Sequence, residues 1–409
     1  MDSSILTDTT LNLELEWDPE IDSPASIAII GCGPVAIEAA LYARFLGYGV
    51  FVYEAHRIAS TFSTTPNRVL AHSKADACST LGLAALEAQE TPCSLESEQI
   101  VTHQDYFDSY LLPLARSDLL RDSISVHSPV RSVSRTCLDT SIEHLSTLKS
   151  ELEFRLLIDS KKRGLYSQIV DIVLDCSGLS SKQGLASGGG TAVGEELLSS
   201  DIKGAYNALD EDCLAQLTSD QHLILWGDDQ AAGEAVLQLT ELQNHGSVGK
   251  VTWVMPRRLG RSSLRYAGLS EEQTTALEAL RSTANPNLVC LEAWGIESIS
   301  ESGDSWKILC QTNDDETLEL QADVFLNVAD KKRDWSFWNG IPPVSHPMPS
   351  DMDSLCDVVS NEPHYYLLGS KAKLHLSMPE YRSQIRDLFA VIGGRRELDL
   401  YSTIQPQSS

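Results

Sequence analysis

Short apolar runs alternate with glycine-containing turns and amphipathic stretches along most of the chain. Residues 27–30 are apolar and mostly β-branched, which is typical of a strand buried in a parallel sheet. Residues 35–46 have the apolar spacing of a helix packed on a sheet, and the apolar run 50–53 predicts the next strand. The pattern therefore predicts a β-α-β unit near the amino terminus.

The turn between the first strand and the helix has a glycine pattern. Gly31, Gly33 and Ala36 match the sequence G-x-G-x-x-G/A, and Pro34 lies in the same turn. Gly31 allows the tight turn, Gly33 allows a pyrophosphate to approach the backbone, and Ala36 allows the helix to touch the strand. Glu54, about twenty residues further on, ends the second strand and is expected to accept hydrogen bonds from a ribose diol.

Two interpretations of this turn are open. A glycine-rich βα turn also occurs in α/β proteins that bind no nucleotide. The dinucleotide interpretation is favoured because strand, turn, helix, second strand and acidic residue all fall at the expected spacing. In that case the helix N-terminus directs N–H groups at the phosphates.

The following elements are predicted from apolar periodicity and polar composition. Residues 56–79 are polar and rich in serine and threonine, typical of a loop that covers a cofactor or active site. Helices are predicted at 81–89 and 102–116, the second with Thr102 as N-cap. An antiparallel meander is predicted from strands at 123–135, 153–158 and 169–174.

The same order of elements then recurs. Residues 221–239 again predict strand, turn and helix around Gly227, and residues 250–258 predict a strand that ends in Arg257 and Arg258. A second meander is predicted from strands at 288–298, 305–311 and 316–320, with a closing strand at 322–327. A repeat of about two hundred residues indicates a duplicated domain rather than a solenoid.

The carboxyl-terminal part is expected to return to the first domain. Residues 363–371 predict a strand that enters a glycine turn, and residues 380–393 predict a helix with one apolar face. We therefore predict an α/β fold of two Rossmann-like three-layer nucleotide-binding domains, each with an antiparallel β-meander, the second inserted in the first. The predicted divisions are an acidic arm at 1–24, a first domain at 25–205 and 330–405, and a second domain at 206–329.

Length and charge restrict the function. A chain of 409 residues is expected to form at least two domains. The net charge of −27 argues against nucleic acids and anionic membranes as main partners. No apolar run reaches membrane-spanning length, and residues 1–23 lack the pattern of a signal peptide.

Nine cysteines are scattered singly, without a C-x-x-C sequence or the spacing of metal ligands. This pattern favours unpaired thiols in a reducing cytoplasm and predicts no metal site. Cys32 and Cys176 lie inside predicted cofactor-binding turns, where a small buried side chain is a commoner role than redox chemistry.

Taken together, these features resemble the two-dinucleotide-binding-domain flavoproteins, close to the flavin-containing monooxygenase and pyridine nucleotide–disulfide oxidoreductase group. The resemblance covers about residues 25–400. It implies that the first domain binds FAD and the second binds NAD(P)H. By the same resemblance, hydride passes from the nicotinamide to the flavin, and electrons pass on to O2 or to an organic acceptor.

The resemblance also assigns further FAD contacts. Asp175-Cys-Ser-Gly178 resembles the family's turn that returns the chain to the FAD domain, which places Ser177 and Gly178 at the cofactor. Val130 stands where the family holds adenine with backbone atoms. Gly369 and Ser370 stand where the family has a glycine–aspartate pair on the ribityl chain and pyrophosphate.

In the second domain the resemblance assigns Gly227, Gln230, Arg257 and Arg258 to NADPH. Two guanidinium groups after the second strand suit a 2′-phosphate, although two solvated surface arginines would have the same sequence. Asp229 stands where the family has glycine, and a carboxylate there opposes a pyrophosphate by roughly 1–4 kcal/mol at contact distance.

Other departures bear on the reaction. The redox C-x-x-C or C-x4-C of the disulfide reductases is missing, and so is the F-x-G-x-x-x-H-x-x-x-Y/F sequence of typical monooxygenases. No catalytic base is identified, and His72, His103, His364 and His375 are expected to be surface or packing residues.

The expected function is an FAD-dependent oxidoreductase that is linked to NADPH, monooxygenase-like and active on a small-molecule substrate. A reductase without oxygen insertion is one alternative. An FAD-binding accessory protein with a degenerate nicotinamide site is another, favoured by Asp229. The sequence indicates no oligomeric state.

Overall fold

The computed structural model describes the greater part of the chain. Its described residues are 24–63, 66–67, 69–136, 152–179, 184–187, 190–199, 204–206, 209, 211–257, 270–283, 285–312, 316–328, 336–338, 358–373, 376–394, 397–404 and 406. Residues 1–23 of the predicted acidic arm, Arg258 and His375 lie outside these residues.

The strands, in chain order, are β1 Ser26–Ile30, β2 Gly49–Tyr53, β3 Val69–Ala71, β4 Val101–Thr102, β5 Ile124–Ser125, β6 Val130–Arg135, β7 Phe154–Ser160, β8 Gly164–Val170, β9 Ile172–Asp175, β10 Ala205–Tyr206, β11 His222–Trp226, β12 Lys250–Pro256, β13 Leu288–Ala293, β14 Gly295–Ser302, β15 Ser305–Gln311, β16 Thr317–Ala322, β17 Val324–Asn327 and β18 Tyr365–Leu367.

The α-helices are α1 Pro34–Phe45, α2 Ser60–Ser63, α3 Lys74–Ala77, α4 Thr80–Glu87, α5 His103–Tyr106, α6 Leu112–Arg116, α7 Glu211–Leu214, α8 Gln230–Asn244, α9 Glu271–Ser282, α10 Met378–Ile392 and α11 Leu400–Thr403. A π-helical turn, Phe107–Leu111, joins α5 to α6, and short 3-10 helices occupy Glu195–Ser199 and Gly369–Lys371.

The chain forms two compact units, one from residues 1–179 and 333–409 and the other from residues 180–332. In the first unit, five parallel strands follow the order β18-β9-β1-β2-β5. β18 pairs with β9, which pairs with β1, so the returning strand joins the sheet of the first glycine turn as predicted. Strands β6, β7 and β8 form the antiparallel meander of this unit.

The predicted helix near the carboxyl terminus is confirmed as α10. Its apolar face, including Ile385, Leu388 and Phe389, is buried in the same core as β1 and α1. The ring of Phe389 stacks on Tyr42 of α1 with 5.2 Å between the ring centroids. The carboxyl-terminal segment therefore contributes both a strand and a helix to the first unit.

The second unit repeats the plan of the first. Its parallel sheet has the order β10-β17-β11-β12-β13, and β14, β15 and β16 form an antiparallel sheet. Its buried side chains form two clusters of their own, whereas those of the first unit form another. The strand Ala205–Tyr206 pairs with β17, and the division between the compact units falls at residues 179 and 180 rather than 205 and 206.

Several local predictions were wrong in detail. Residues 56–79 contain α2, α3 and β3 instead of an irregular loop, because Ser73 caps α3 and β3 pairs with β4. The predicted strand 169–174 is divided at Asp171, whose carboxylate accepts bonds from the N–H and hydroxyl of Ser26, each at 2.7 Å. Its second part leaves the meander and becomes β9 of the parallel sheet.

The helix predicted over 102–116 is confirmed, with one irregular turn. Thr102 is its N-cap and forms a capping box with Asp105. The middle turn is π-helical, with the N–H of Leu112 bonded to the carbonyl of Phe107, next to Pro113, which has no N–H to donate. Among the helices that the structure describes, none is both long enough and apolar enough to cross a membrane.

Candidate functional site

The first glycine turn lies at the carboxyl ends of the parallel strands, where α/β proteins bind ligands. Gly33 is the N-cap of α1, and no side chain caps this helix. A Cβ added to Gly33 would meet no atom within 4 Å. The helix therefore starts beside open space, with N–H groups and the positive end of its dipole directed there, which fits a pyrophosphate.

The other small residues of this turn serve backbone packing. Gly31 has φ +98°, and a Cβ there would lie 2.6 Å from the carbonyl oxygen of Cys176. Ala36 is fully buried in the core of the unit. Pro34 occupies the first helical turn, where the missing N–H costs little. Gly31 is thus required by the approach of β1 to β9, and only Gly33 faces open space.

Glu54 holds the turn in shape. One of its carboxylate oxygens accepts the N–H of Cys32 at 2.8 Å, and the other accepts the N–H of His56 at 2.8 Å. Because a carboxylate offers about four acceptor positions, these bonds leave capacity for ribose hydroxyls. Burial, with Glu54 nearby, raises the pKa of the Cys32 thiol to about 12, so this thiol stays neutral.

Three further residues of the predicted FAD set meet at the same edge of the sheet. A Cβ on Gly178 would lie 3.5 Å from the hydroxyl oxygen of Ser370, and one on Gly369 would lie 3.3 Å from Val35 at the start of α1. Both glycines have positive φ, +69° and +66°. The turns after β9 and β18 therefore lie together beside the first turn of α1.

A buried polar cluster connects these turns. The ammonium of Lys371 lies 3.4 Å from a carboxylate oxygen of Asp175 and donates to the hydroxyl of Ser177 at 3.1 Å. Asp175 also accepts bonds from the Ser177 hydroxyl at 2.6 Å and the Tyr365 hydroxyl at 2.8 Å. Burial and the neighbouring Asp175 raise the pKa of Tyr365 well above its ordinary value, so Tyr365 remains a donor.

Ser177 was predicted from the sequence, whereas Lys371, Tyr365 and the role of Asp175 were not. Lys371 and Asp175 are fully buried, and burial of opposite charges requires that they pair. The available signal was a lysine directly after the predicted Gly369-Ser370 turn, but its partner is distant in the sequence.

Val130 begins β6, close to Glu54. The N–H of Ser128, two residues earlier, donates to the carbonyl of Glu54 at 2.8 Å. The proposed ribose and adenine contacts therefore lie on adjacent segments of the first unit.

The second glycine turn has the same backbone plan with a different cap. A Cβ on Gly227 would lie 2.8 Å from the Cβ of Ala232, so this glycine allows helix and strand to touch. Asp229 is the N-cap of α8, and its carboxylate accepts the N–H of Ala232 at 2.9 Å. The carboxylate of Asp229 thus occupies the N-terminus of α8, whereas α1, the corresponding helix of the first unit, has no side-chain cap.

Other residues of the predicted NADPH set lie around this turn. Gln230 begins α8, and its side chain donates to Glu234 at 2.8 Å. The guanidinium of Arg257 stacks over the ring of Trp294, 5.0 Å from its centroid. Arg257 follows β12 directly, as predicted.

The candidate histidines lie apart from one another. His72 is exposed, whereas His103 packs against the ring of Phe62 with 4.3 Å between centroids. His364 is buried just before β18, and its carbonyl accepts the N–H of Val173 at 3.0 Å. The structure brings none of these three together as a catalytic pair.

Comparison with known proteins identifies the fold. No protein-family model and no curated protein matches the chain. Among solved structures, bacillithiol disulfide reductase from Bacillus cereus matches with a TM-score of 0.56 and 13% identity, over 90% of this chain and 98% of that chain.

Two oxygenases have the same fold. The desferrioxamine-pathway cadaverine monooxygenase from Erwinia amylovora, bound to FAD, matches with a TM-score of 0.53 and 12% identity, over 94% of this chain and 98% of that chain. The ornithine N-hydroxylase from Kutzneria sp. 744 matches with a TM-score of 0.50 and 11% identity, over 91% and 99%. The predicted α/β fold of two-dinucleotide-binding-domain flavoproteins is confirmed.

Proposed function

We propose that this protein is an FAD-dependent oxidoreductase, linked to NADPH and monooxygenase-like, that acts on a small-molecule substrate in the cytoplasm. The observation that carries the proposal is the start of α1, where Gly33 leaves the helix N-terminus without a side-chain cap and facing open space. A pyrophosphate is the group that this arrangement fits.

The residues of the first unit fit the remaining parts of FAD. Glu54 would accept the ribose hydroxyls, and backbone atoms of Val130 would hold the adenine. Gly369, Ser370, Ser177 and Gly178 would surround the ribityl chain and pyrophosphate, beside the buried Lys371–Asp175 pair. When bound, FAD supplies the hydride and electron chemistry, so no side-chain nucleophile is needed.

The proposed domain assignment follows from this site. Residues 25–179 and 333–405 would form the FAD-binding domain, and residues 180–332 the nucleotide-binding domain, so that the strand Ala205–Tyr206 belongs to the second domain. The division into two compact units, with the second between the two parts of the first, supports this arrangement.

The monooxygenase-like outcome is supported by the two oxygenases of this fold, whose structures contain FAD or reduced FAD with NADP+ and L-ornithine. A reductase without oxygen insertion is the alternative within the same class. The net charge of −27 supports a small molecule rather than a nucleic acid as the partner.

A second candidate function is favoured by a specific observation. In the second unit the carboxylate of Asp229 accepts a bond at the helix N-terminus where a pyrophosphate would lie. An FAD-binding accessory protein that has lost nicotinamide binding would show this feature. Arg257 supports the NADPH-linked function instead, because a stacked guanidinium suits a 2′-phosphate.

The visible spectrum of the purified protein tests the proposal. We expect the purified protein to show flavin absorbance and to release free FAD on denaturation. Under anaerobic conditions, NADPH should bleach the flavin absorbance at a lower concentration than NADH does. Gly33→Val should abolish FAD binding because a branched side chain would fill the open space at α1. Gly190→Val is the matched control, because Gly190 is an exposed glycine of the second unit, its φ lies outside the left-handed region, and an added Cβ there would meet no atom closer than 3.8 Å.

The outcomes separate the candidates. Protein expressed with excess riboflavin that releases no flavin would contradict FAD binding altogether. Bound FAD that neither nucleotide reduces would favour the accessory protein. Substitution of both Arg257 and Arg258 by alanine should erase a preference for NADPH and leave the response to NADH little changed.

A further inference from the structure

A lysine and an aspartate are buried together near the carboxyl ends of β18 and β9. The side chains of Lys371 and Asp175 have no exposed surface, and the ammonium nitrogen lies 3.4 Å from a carboxylate oxygen. A buried charge is very unfavourable unless an opposite charge accompanies it. Each of these residues therefore depends on the other, and the pair carries no net charge.

The pair holds the turn that follows β9. One carboxylate oxygen of Asp175 accepts the N–H of Ser177 at 3.0 Å and its hydroxyl at 2.6 Å, and the other accepts the hydroxyl of Tyr365 at 2.8 Å. The Ser177 hydroxyl in turn accepts a bond from the ammonium of Lys371 at 3.1 Å. Both the proton and a lone pair of this hydroxyl are engaged, so the two charges together fix the position of Ser177.

Lys371 also connects this turn to the turn that follows β18. It is the last residue of the 3-10 helix Gly369–Lys371, and the N–H of Lys373 donates to the carbonyl of Gly369 at 3.0 Å. Its ammonium lies over the ring of Phe337, 5.2 Å from the centroid, and reaches Ser177. The two turns that the proposed function places around FAD are thus joined through the ammonium of Lys371.

An anionic cofactor makes the charge of Asp175 important. The pyrophosphate of FAD is negative, and the chain has a net charge of −27. A lone carboxylate in the turn after β9 would repel the pyrophosphate, because water and salt screen a buried charge poorly. The ammonium of Lys371 cancels that repulsion, so the N–H groups at the start of α1 can attract the phosphates.

We propose that Lys371 is a positioning residue of the FAD site, which neutralises Asp175 so that the turn at Ser177 and Gly178 accepts the anionic pyrophosphate. This inference rests on the proposed FAD-binding function. A packing role alone would make the affinity for FAD independent of the charge of Asp175. The proposed role makes that affinity depend on it.

Titration of flavin-free protein with FAD at pH 6 and pH 8 tests the role. Lys371→Met keeps the length of the side chain and removes its charge, so Asp175 is left buried without a countercharge. We expect the affinity for FAD to fall by roughly tenfold or more at pH 8 and to recover towards pH 6, because an isolated buried carboxyl takes up a proton more readily. Wild-type affinity should change little between the two pH values.

Two further variants separate charge from packing. Lys371→Met combined with Asp175→Asn contains neither charge. It should bind FAD within about threefold of wild type and without pH dependence, because neutral side chains of similar size can replace a buried ion pair. Lys373→Met, at an exposed lysine of the same segment, is the matched control and should behave as wild type.

Other ionisable groups near the pair do not account for such a pH dependence. They lie on β18, on the segment before it, on β6 and in the turns after β9 and β1, and are Tyr365, His364, Glu362, Arg135, Cys176 and Cys32. Burial raises the pKa of the tyrosine and of both thiols, so these three groups stay neutral at pH 6 and pH 8. The remaining three are present in every variant, so their titration affects all the curves alike.

The outcomes distinguish failure of this inference from failure of the proposed function. Wild-type protein that binds no FAD would contradict both. If wild-type protein binds FAD and Lys371→Met binds it equally well at both pH values, the inference alone is overturned. Equal loss of FAD binding from Lys371→Met and from the double variant would also overturn it, because the ammonium would then serve packing only.

A separate comparison decides the matter if Lys371→Met fails to fold. Asp175→Asn and the double variant differ only at Lys371. At pH 6 Asp175→Asn should bind FAD more tightly than the double variant, because its ammonium attracts the pyrophosphate. Equal affinities would overturn the inference.

Discussion

At the scale of single residues, the clearest electrostatic effect of burial concerns a carboxyl group in the middle of α1. Glu38 is 1% exposed and accepts hydrogen bonds from the hydroxyl groups of Tyr110 and Tyr401. Ser79 bonds to the same Tyr110 hydroxyl at 3.0 Å, and Arg382 contributes a favourable charge. Burial outweighs these effects and raises the pKa of Glu38 above its ordinary value.

This shift predicts a pH dependence of stability. Because the folded-state pKa is the higher one, the contribution of Glu38 is fully present below its unfolded pKa and is lost as the pH rises through the folded value. Glu38→Gln cannot ionise and should remove this loss. We expect the free energy of unfolding of Glu38→Gln, relative to that of the wild type, to increase as the pH is raised from about pH 4 towards pH 8.

Urea unfolding of both proteins across this range measures the effect. Glu98→Gln, at an exposed carboxylate in the same unit, should leave the pH dependence unchanged. Parallel curves for Glu38→Gln and wild type would show that Glu38 titrates as it does in the unfolded chain.

At the scale of elements, two helices with the same position in their units begin differently. The N-cap of α1 is Gly33, which has no side chain, and that of α8 is Asp229, whose carboxylate bonds to Ala232. An aspartate cap stabilises a helix by about 1 kcal/mol, and the same charge repels a bound phosphate. The carboxylate of Asp229 therefore stabilises α8 and, through the same charge, lowers the affinity of the helix N-terminus for an anion.

Substitutions at Asp229 separate cap from charge. Asp229→Asn keeps a capping side chain and removes the charge, so we expect tighter NADPH binding with little loss of stability. Asp229→Gly removes both the charge and the side chain, and should tighten NADPH by about tenfold for each 1.4 kcal/mol recovered. Equilibrium titration of NADPH measures both variants.

One outcome for the two Asp229 variants would contradict the assignment of an NADPH site. If neither variant binds NADPH or allows it to reduce the flavin in stopped-flow experiments, the nicotinamide assignment fails. The accessory-protein function then takes its place.

At the scale of the whole molecule, each unit has a core of its own. The buried cluster of the first unit extends from Ile27 to Leu400 and includes no residue between 180 and 332 in the described part of the chain. Two separate clusters serve the second unit. Folding of the first unit should therefore depend on its two chain segments and not on the intervening one.

Replacement of residues 180–332 by a flexible glycine–serine linker tests this independence. The shortened protein should still fold cooperatively and retain FAD, because the proposed contacts at Gly33, Glu54 and Gly369 all lie in the first unit. Reduction by NADPH should be lost. A shortened protein that fails to fold, or one that folds with normal circular dichroism but does not retain FAD, would contradict this assignment.

Much of this architecture follows from local sequence patterns. Strand β1, helix α1 and the glycine turn between them are predictable, because burial on a parallel sheet requires apolar β-branched runs and a tight turn requires glycine. The capping box at Thr102 and the apolar face of α10 are local for the same reason. The assignment of each strand to a sheet was less predictable. The apolar run at the end of β8 continues into β9, although β8 belongs to the meander and β9 to the parallel sheet.

The tertiary structure alone decided the contacts between residues that are distant in the chain. Lys371 reaches Asp175 only when β18 lies beside β9. Sequence placed Asp229 in the second turn, but whether its carboxylate faced solvent or the helix depended on backbone angles at the cap. Local periodicity determines elements, whereas side-chain chemistry at the sites depends on long-range packing that periodicity does not encode.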